Sequence, residues 1–133
     1  MLKVLTVGVF DLFHYGHLNL FRNAKNIVGD DGELIVAIQE DDVVLKYKPD
    51  TKLVYPYNIR FDMVQAIRYV DKIISYRDVD EIVKTADFDI FAIGGDQNHA
   101  GFQRAIKWCE ENGKKVVRLP RTQGISSSQL KFK

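Results

Sequence analysis

The stretch GVFDLFHYGH, residues 8 to 17, sets Asp11, His14, Gly16 and His17 between two apolar runs, and it holds two of the chain's 3 histidines. An imidazole can donate or accept a hydrogen bond, ligate a metal or cap a helix. A metal site asks for a third protein ligand. Only His99, Cys109 or carboxylates remain to supply one. At the start of a helix the pair has two other uses. It can cap and pack, or it can help hold an anion where the free backbone N–H groups and the helix dipole already favour negative charge. Gly16 lets a ligand approach the backbone between the two rings. Asp11, in a tight loop, can accept from nearby backbone N–H groups.

Three other groups carry chemistry: Lys46 and Lys48 in a polar stretch, Gly94 to Asp96, and Arg121, Thr122, Gly124, Ile125, Ser126, Ser127 and Ser128. Any one has an ordinary reading as a solvated loop or a helix cap. Together, two lysines, an arginine, two histidines and a hydroxyl-rich helix start favour a polyanion, and a nucleoside triphosphate fits best. Nucleotidyl transfer asks for positive charge and hydrogen-bond donors around a phosphorus whose oxygens gather charge, with little covalent work from the protein.

These residues need elements to bring them together. Leu2 to Gly8 reads as a strand buried on both faces. From His17 to Val28, Leu18, Leu20, Phe21, Ala24 and Ile27 recur at near-helical spacing. The GDDG at 29 to 32 punctuates, and Glu33 to Ile38 is a second buried strand. Residues Gln39 to Tyr57, with Pro49 and Pro56, read as a long loop, a length usually functional or disordered. Ile59, Met63, Ala66 and Ile67 predict a helix over Asn58 to Tyr69. Strands follow at Lys72 to Ser75, Asp89 to Ile93 and Lys115 to Leu119, with helices at Val79 to Ala86 and Ala100 to Asn112 and a short helix in SSSQLK. Trp108 reads as core or interface, and Cys109 as a small buried hydrophobe.

Five strands alternating with helices imply an α/β fold: a Rossmann-like three-layer α/β/α sandwich around a five-stranded parallel sheet. Ligands in such sheets bind beyond the carboxyl ends of the strands, where strand order reverses. The loops after Gly8, Gln39, Gly94 and Pro120 should therefore share one rim.

With 133 residues and 46% hydrophobic composition, the chain is read as a single domain over 1–133. Its 19 basic and 18 acidic residues give a net charge of +1, so no overall field points to nucleic acid or to an anionic membrane. Cys109 alone allows neither an internal disulfide nor a multi-cysteine zinc site. The N-terminal apolar run is too short to span a bilayer and has no cleavage-site pattern, which leads to the expectation of a cytoplasmic protein.

The HxGH of His14 and His17, with the ISSS near the carboxyl end, resembles the signatures of the HIGH-type nucleotidyltransferase superfamily. GVFDLFHYGH, IRYVDKII and LPRTQGISSS, in that order, are similar to the cytidylyltransferases that make CDP-alcohols. The short single-domain length is similar to the glycerol-3-phosphate branch. Departures are Val9, which the choline- and ethanolamine-phosphate branch shares where glycerol-phosphate enzymes read threonine, Gln123 for a usual glutamate, and GGDQNH for a GDDW-like segment.

The resemblance implies that CTP and a phosphorylated alcohol, most simply sn-glycerol 3-phosphate, give CDP-glycerol and pyrophosphate with Mg²⁺, in a homodimer serving teichoic acid or capsule synthesis. It makes His14 and His17 stabilisers of the pentacoordinate transition state and Lys46 a contact to the substrate phosphates, with Lys48 a second. Val9, Phe10, Asp11 and Gly16 would line the nucleotide, and Asp11 would assist the magnesium or hold the loop. Asp96 would line the cytidine pocket, and Arg121, Thr122, Gly124, Ile125, Ser126, Ser127 and Ser128 would grip the β- and γ-phosphates. Arg68 falls at the acceptor and dimer side. Another acceptor, adenylyl transfer, or a non-catalytic nucleotide-binding module remain open; ISSSQL leading to Lys131 sides with the cytidylyl branch.

Overall fold

A computed structural model describes residues 1–47, 53–94, 97 and 99–120. In chain order the elements are β1 (Lys3–Gly8), α1 (Tyr15–Val28), β2 (Glu33–Gln39), α2 (Asp41–Tyr47), α3 (Tyr57–Gln65), β3 (Lys72–Tyr76), α4 (Val79–Thr85), β4 (Ile90–Gly94), α5 (Ala100–Glu111) and β5 (Lys115–Leu119). All strand pairs are parallel, in the order β3-β2-β1-β4-β5. Strand order therefore reverses between β1 and β4, and the carboxyl ends of all strands share one edge.

Side-chain alternation along the strands builds two cores. Leu5, Val7, Ile35, Ala37, Phe91 and Ile93 pack with Val79 and Val83 of α4 and Phe102, Ala105 and Cys109 of α5. Val4, Leu34, Val36, Ile38, Ile90 and Ala92 face the other way, onto Phe21 and Ala24 of α1 and Val64 of α3. This is the three-layer sandwich that the alternating pattern predicts. Burying Phe21, which is 0% exposed, contributes about 1.5–3 kcal/mol by removing apolar surface from water. Helix α1 stops at Gly29, whose φ of 74° suits glycine and whose N–H donates to the Lys25 carbonyl. Cys109 is buried, and Trp108 packs partly buried against the first core.

Two expectations are corrected. The stretch read as loop from Gln39 to Tyr57 contains α2. Its buried apolar residues among those described, Val43 and Val44, are adjacent and show no helical period, while Asp41 and Asp42 in the first turn and Lys46 in the last suit the helix dipole. The helix expected over Asn58 to Tyr69 ends at Gln65, and its inward face is turned by one residue. Arg60 and Val64 are buried while Ile59 is exposed. The short helix expected in SSSQLK, which begins at Ser126, Ser127 and Ser128, lies outside the described residues.

Candidate active site

The loop from β1 to α1 reaches the rim at the reversal point. Phe10 and Leu12 both adopt positive φ, 57° and 48°, a conformation that costs of order 1–3 kcal/mol per non-glycine residue and persists only where the surroundings over-determine it. Three ties do so here. The Phe10 ring, 4% exposed, folds over Gly8, where any Cβ would meet its Cζ at 2.7 Å. The Asp11 carboxylate, 3% exposed, accepts from the backbone N–H groups of Val54 (2.8 Å) and Tyr55 (3.0 Å). The Arg60 guanidinium, fully buried, donates to the carbonyls of Val9 (2.7 Å) and Tyr55 (3.2 Å) and pairs with Asp41, whose other oxygen accepts from the Tyr57 N–H at 3.2 Å. The starts of α2 and α3 are thereby locked to the loop that carries the histidines.

His14 is the N-cap of α1 and His17 its third residue. The Nδ1 of His14 accepts the Gly16 N–H at 3.1 Å, and the Nδ1 of His17 accepts the His14 N–H at 3.3 Å. This is a capping box in which imidazoles replace the usual hydroxyl and carboxamide. The two rings stack, centroids 3.8 Å apart and 18° from parallel. Phe10 meets His17 edge-on at 5.2 Å, and Phe13 lies tilted against it at 5.4 Å. Because each Nδ1 accepts, each ring carries its proton on Nε2. Burial, reinforced by neighbouring His14, lowers the His17 pKa to about 3, so that ring is a neutral donor at physiological pH.

Val9 contributes its carbonyl to Arg60, and Phe10 serves as the apolar floor under His17. Lys46 is exposed on the last turn of α2. Arg68 lies past α3, near the amino end of β3, where its guanidinium donates to the Tyr69 hydroxyl at 3.1 Å; Arg22 of α1 donates to the same oxygen at 3.3 Å. The described contacts thus place Arg68 with Arg22 and Tyr69 and not with the histidines. Lys48, Asp96, Arg121, Thr122, Gly124, Ile125, Ser126, Ser127 and Ser128 lie outside the described residues.

Among the described residues no three His, Cys, Asp or Glu gather to hold a metal. Asp11, with each carboxylate oxygen accepting one backbone amide, holds the loop, the second of the two roles expected of it. Arg60 and Asp41 are loop-holding residues that sequence reasoning missed. The signal for Arg60 was its spacing of four from Val64 on α3, hidden by the alternative apolar spacing of Ile59 and Met63.

A parallel sheet with two stacked imidazoles, each protonated on Nε2, at its reversal point defines a nucleotide-binding α/β protein equipped for phosphoryl chemistry. The chain belongs to the cytidylyltransferase-like family, whose model matches residues 5–132, and is a nucleotidyltransferase. It is 37% identical over 134 residues to a glycerol-3-phosphate cytidylyltransferase of Bacillus spizizenii, covering 98% of this chain and 95% of that one. It is 33% identical over 140 residues to an FAD synthase of Korarchaeum cryptofilum, covering 96% and 88%. Among solved structures, a lipopolysaccharide core biosynthesis protein of Thermoplasma volcanium superposes with a TM-score of 0.75 at 25% identity, over 92% of this chain and 99% of that one. Among the described residues, no helix is long and apolar enough to cross a membrane.

Proposed function

We propose that the protein transfers the cytidylyl group of CTP to a phosphorylated alcohol, sn-glycerol 3-phosphate, releasing pyrophosphate. The observation that carries this reading is the stacked His14–His17 pair at the start of α1, each Nδ1 taken by a backbone N–H so that the proton is on Nε2. A phosphate oxygen of the acceptor attacks the α-phosphorus in line. The α–β bridging P–O bond breaks, and pyrophosphate leaves with its electron pair. Negative charge on the α-phosphoryl oxygens grows in the transition state and is met by the two imidazole N–H donors without moving a proton. Lys46, on the exposed last turn of α2, meets the substrate phosphates. Glycerol-3-phosphate cytidylyltransferases 36–37% identical over nearly the whole chain support this acceptor.

A second reading is adenylyl transfer. Relatives named FAD synthase match at 33–38% identity, so flavin mononucleotide belongs among the acceptors tested. Pyrophosphate release is measured for the four nucleoside triphosphates against glycerol 3-phosphate, phosphocholine, phosphoethanolamine, sugar phosphates and flavin mononucleotide. CTP with glycerol 3-phosphate is the expected pair. ATP with flavin mononucleotide would replace it by the second reading, and CTP binding without turnover on any acceptor by a non-catalytic one. In the active pair, His14→Ala and His17→Ala each lower kcat by ~10²-fold or more, as losing a preorganised donor does. Near-normal turnover in both variants refutes the role of the pair.

A further inference from the structure

The β1·β4 ladder pairs Val4 with Ile90 and Leu5 with Phe91, and goes no further. Continuing that register would set the Gly94 N–H on the Val7 carbonyl, because alternate residues of a parallel strand direct both backbone groups to the same neighbour. A side chain stands there instead. The Gln97 Oε1 accepts the Gly94 N–H at 2.8 Å, and the Gln97 Nε2 donates to the Val7 carbonyl at 3.0 Å. One carboxamide is thus interposed between two strands that part at the reversal point, and it satisfies the backbone group that each leaves open. The Gln97 N–H donates to the Gly94 carbonyl at 3.2 Å. Arg118 of β5 donates from Nη1 to the carbonyls of Gly94 and Gln97, both at 3.2 Å, holding the backbone that carries the side chain.

We infer that Gln97 is a positioning residue for nucleotidyl transfer, a carboxamide spacer that sets the distance between the end of β1, which leads into the histidine loop, and the end of β4. Its amide is used on both sides, so it acts through the strands it joins and not by contact with substrate. The inference rests on the reading that the triphosphate occupies the crevice between those strand ends. If the spacing is lost, a nucleotide still binds against one wall, but its α-phosphorus is misplaced relative to the His14 and His17 donors. The rate should therefore fall more than binding does.

The test uses three substitutions in the full chain. Gln97→Met keeps the volume and removes both hydrogen bonds. Gln97→Asn keeps the chemistry but shortens the reach. Gln97→Glu restores both bonds only when protonated, since a carboxylic acid can donate its O–H to Val7 and accept from Gly94, whereas a carboxylate turns an acceptor on the Val7 carbonyl. Among the described residues, the charged group placed against this segment is Arg118, which favours ionisation of the introduced acid. Wild-type His17 stays neutral to about 3 and so adds no titration of its own above that.

For Gln97→Met and Gln97→Asn we expect kcat to fall ~10-fold or more with the nucleotide KM changed less than ~3-fold, in line with the effect of ångström-scale misplacement. For Gln97→Glu, kcat relative to wild type should recover as pH falls. Wild-type kcat and KM in Gln97→Met, or parallel losses in all three variants at every pH, overturn the inference. Hydrogen exchange separates its failure from that of the functional reading. In wild type the Gly94 amide should be protected, and in Gln97→Met it should exchange at least ~10-fold faster, as an opened hydrogen bond does. A Gly94 amide unprotected in the wild type sinks the spacer even if the enzyme is active, whereas protection in a protein inactive on every substrate pair overturns only the link to transfer.

Discussion

Replacing Asp11 by asparagine tests whether that carboxylate anchors the loop or serves a metal. Both of its oxygens accept backbone N–H groups, from Val54 at 2.8 Å and Tyr55 at 3.0 Å. Hydrogen bonds to a charged group contribute about 1.5–3 kcal/mol each. Asparagine keeps one acceptor oxygen and turns an NH₂ toward the other amide, so one bond is lost and the remaining one becomes neutral. The expected cost is about 2–4 kcal/mol, a large share of the ~5–15 kcal/mol that stabilises a domain of ordinary size. The loop bearing Phe10 and Leu12 at positive φ relaxes when its anchor weakens, which carries the loss to the histidines and lowers kcat. Urea denaturation gives the stability, and pyrophosphate release titrated with Mg²⁺ gives the metal requirement. A lower midpoint with half-saturating Mg²⁺ changed less than ~3-fold is expected, because an anchor that never meets the ion leaves its affinity alone. Wild-type stability combined with a ~10-fold rise in half-saturating Mg²⁺ would show a carboxylate facing the ion and refute the reasoning.

Thr6→Val, on the central strand, should raise stability by about 1 kcal/mol in the same denaturation assay, since the Thr6 side chain is fully buried and its Oγ1 has no hydrogen-bond partner among the described residues; destabilisation would mean that the hydroxyl is satisfied. The His17 pKa, about 3 folded against 6.5 for the ordinary imidazole, makes the unfolded chain bind the extra proton between those values. Stability from this group is therefore complete above about 6.5 and lost as pH falls toward about 3, with a slope of up to ~1.4 kcal/mol per pH unit. Comparing denaturation of wild type and His17→Gln across that window isolates the slope, and parallel curves would place the His17 pKa near its ordinary value. The same neutrality predicts no loss of kcat from His17 protonation between pH ~5 and ~8, read from a pH–rate profile.

Much of this molecule is legible from local pattern. The strand and helix alternation, the two-sided burial of β1, β2 and β4, and the rim where ligands bind follow from runs and spacings of apolar residues. What pattern missed has a common cause. Helix α2 hides because Val43 and Val44 are adjacent and carry no period. The face of α3 was misjudged because an apolar Ile59 is exposed while a charged Arg60 is buried. A buried guanidinium is stable only with partners for its donors, and those partners, the Val9 and Tyr55 carbonyls and Asp41, are supplied by three separate segments.

The sequence by itself determined the class of fold, the family and the pair His14 and His17, since these depend on residue type and short spacing. Only the tertiary structure decided what those residues present. The proton sits on Nε2 of each ring because the folded cap supplies a donor to each Nδ1. Asp11 anchors the loop because the residues after α2 bring the Val54 and Tyr55 amides to it. Gln97 acquires a role because β1 and β4 part at the point where strand order reverses. Hydrogen-bond partners 43, 44 and 90 residues apart in the chain leave no mark on local spacing, so they exist only once the sheet has formed.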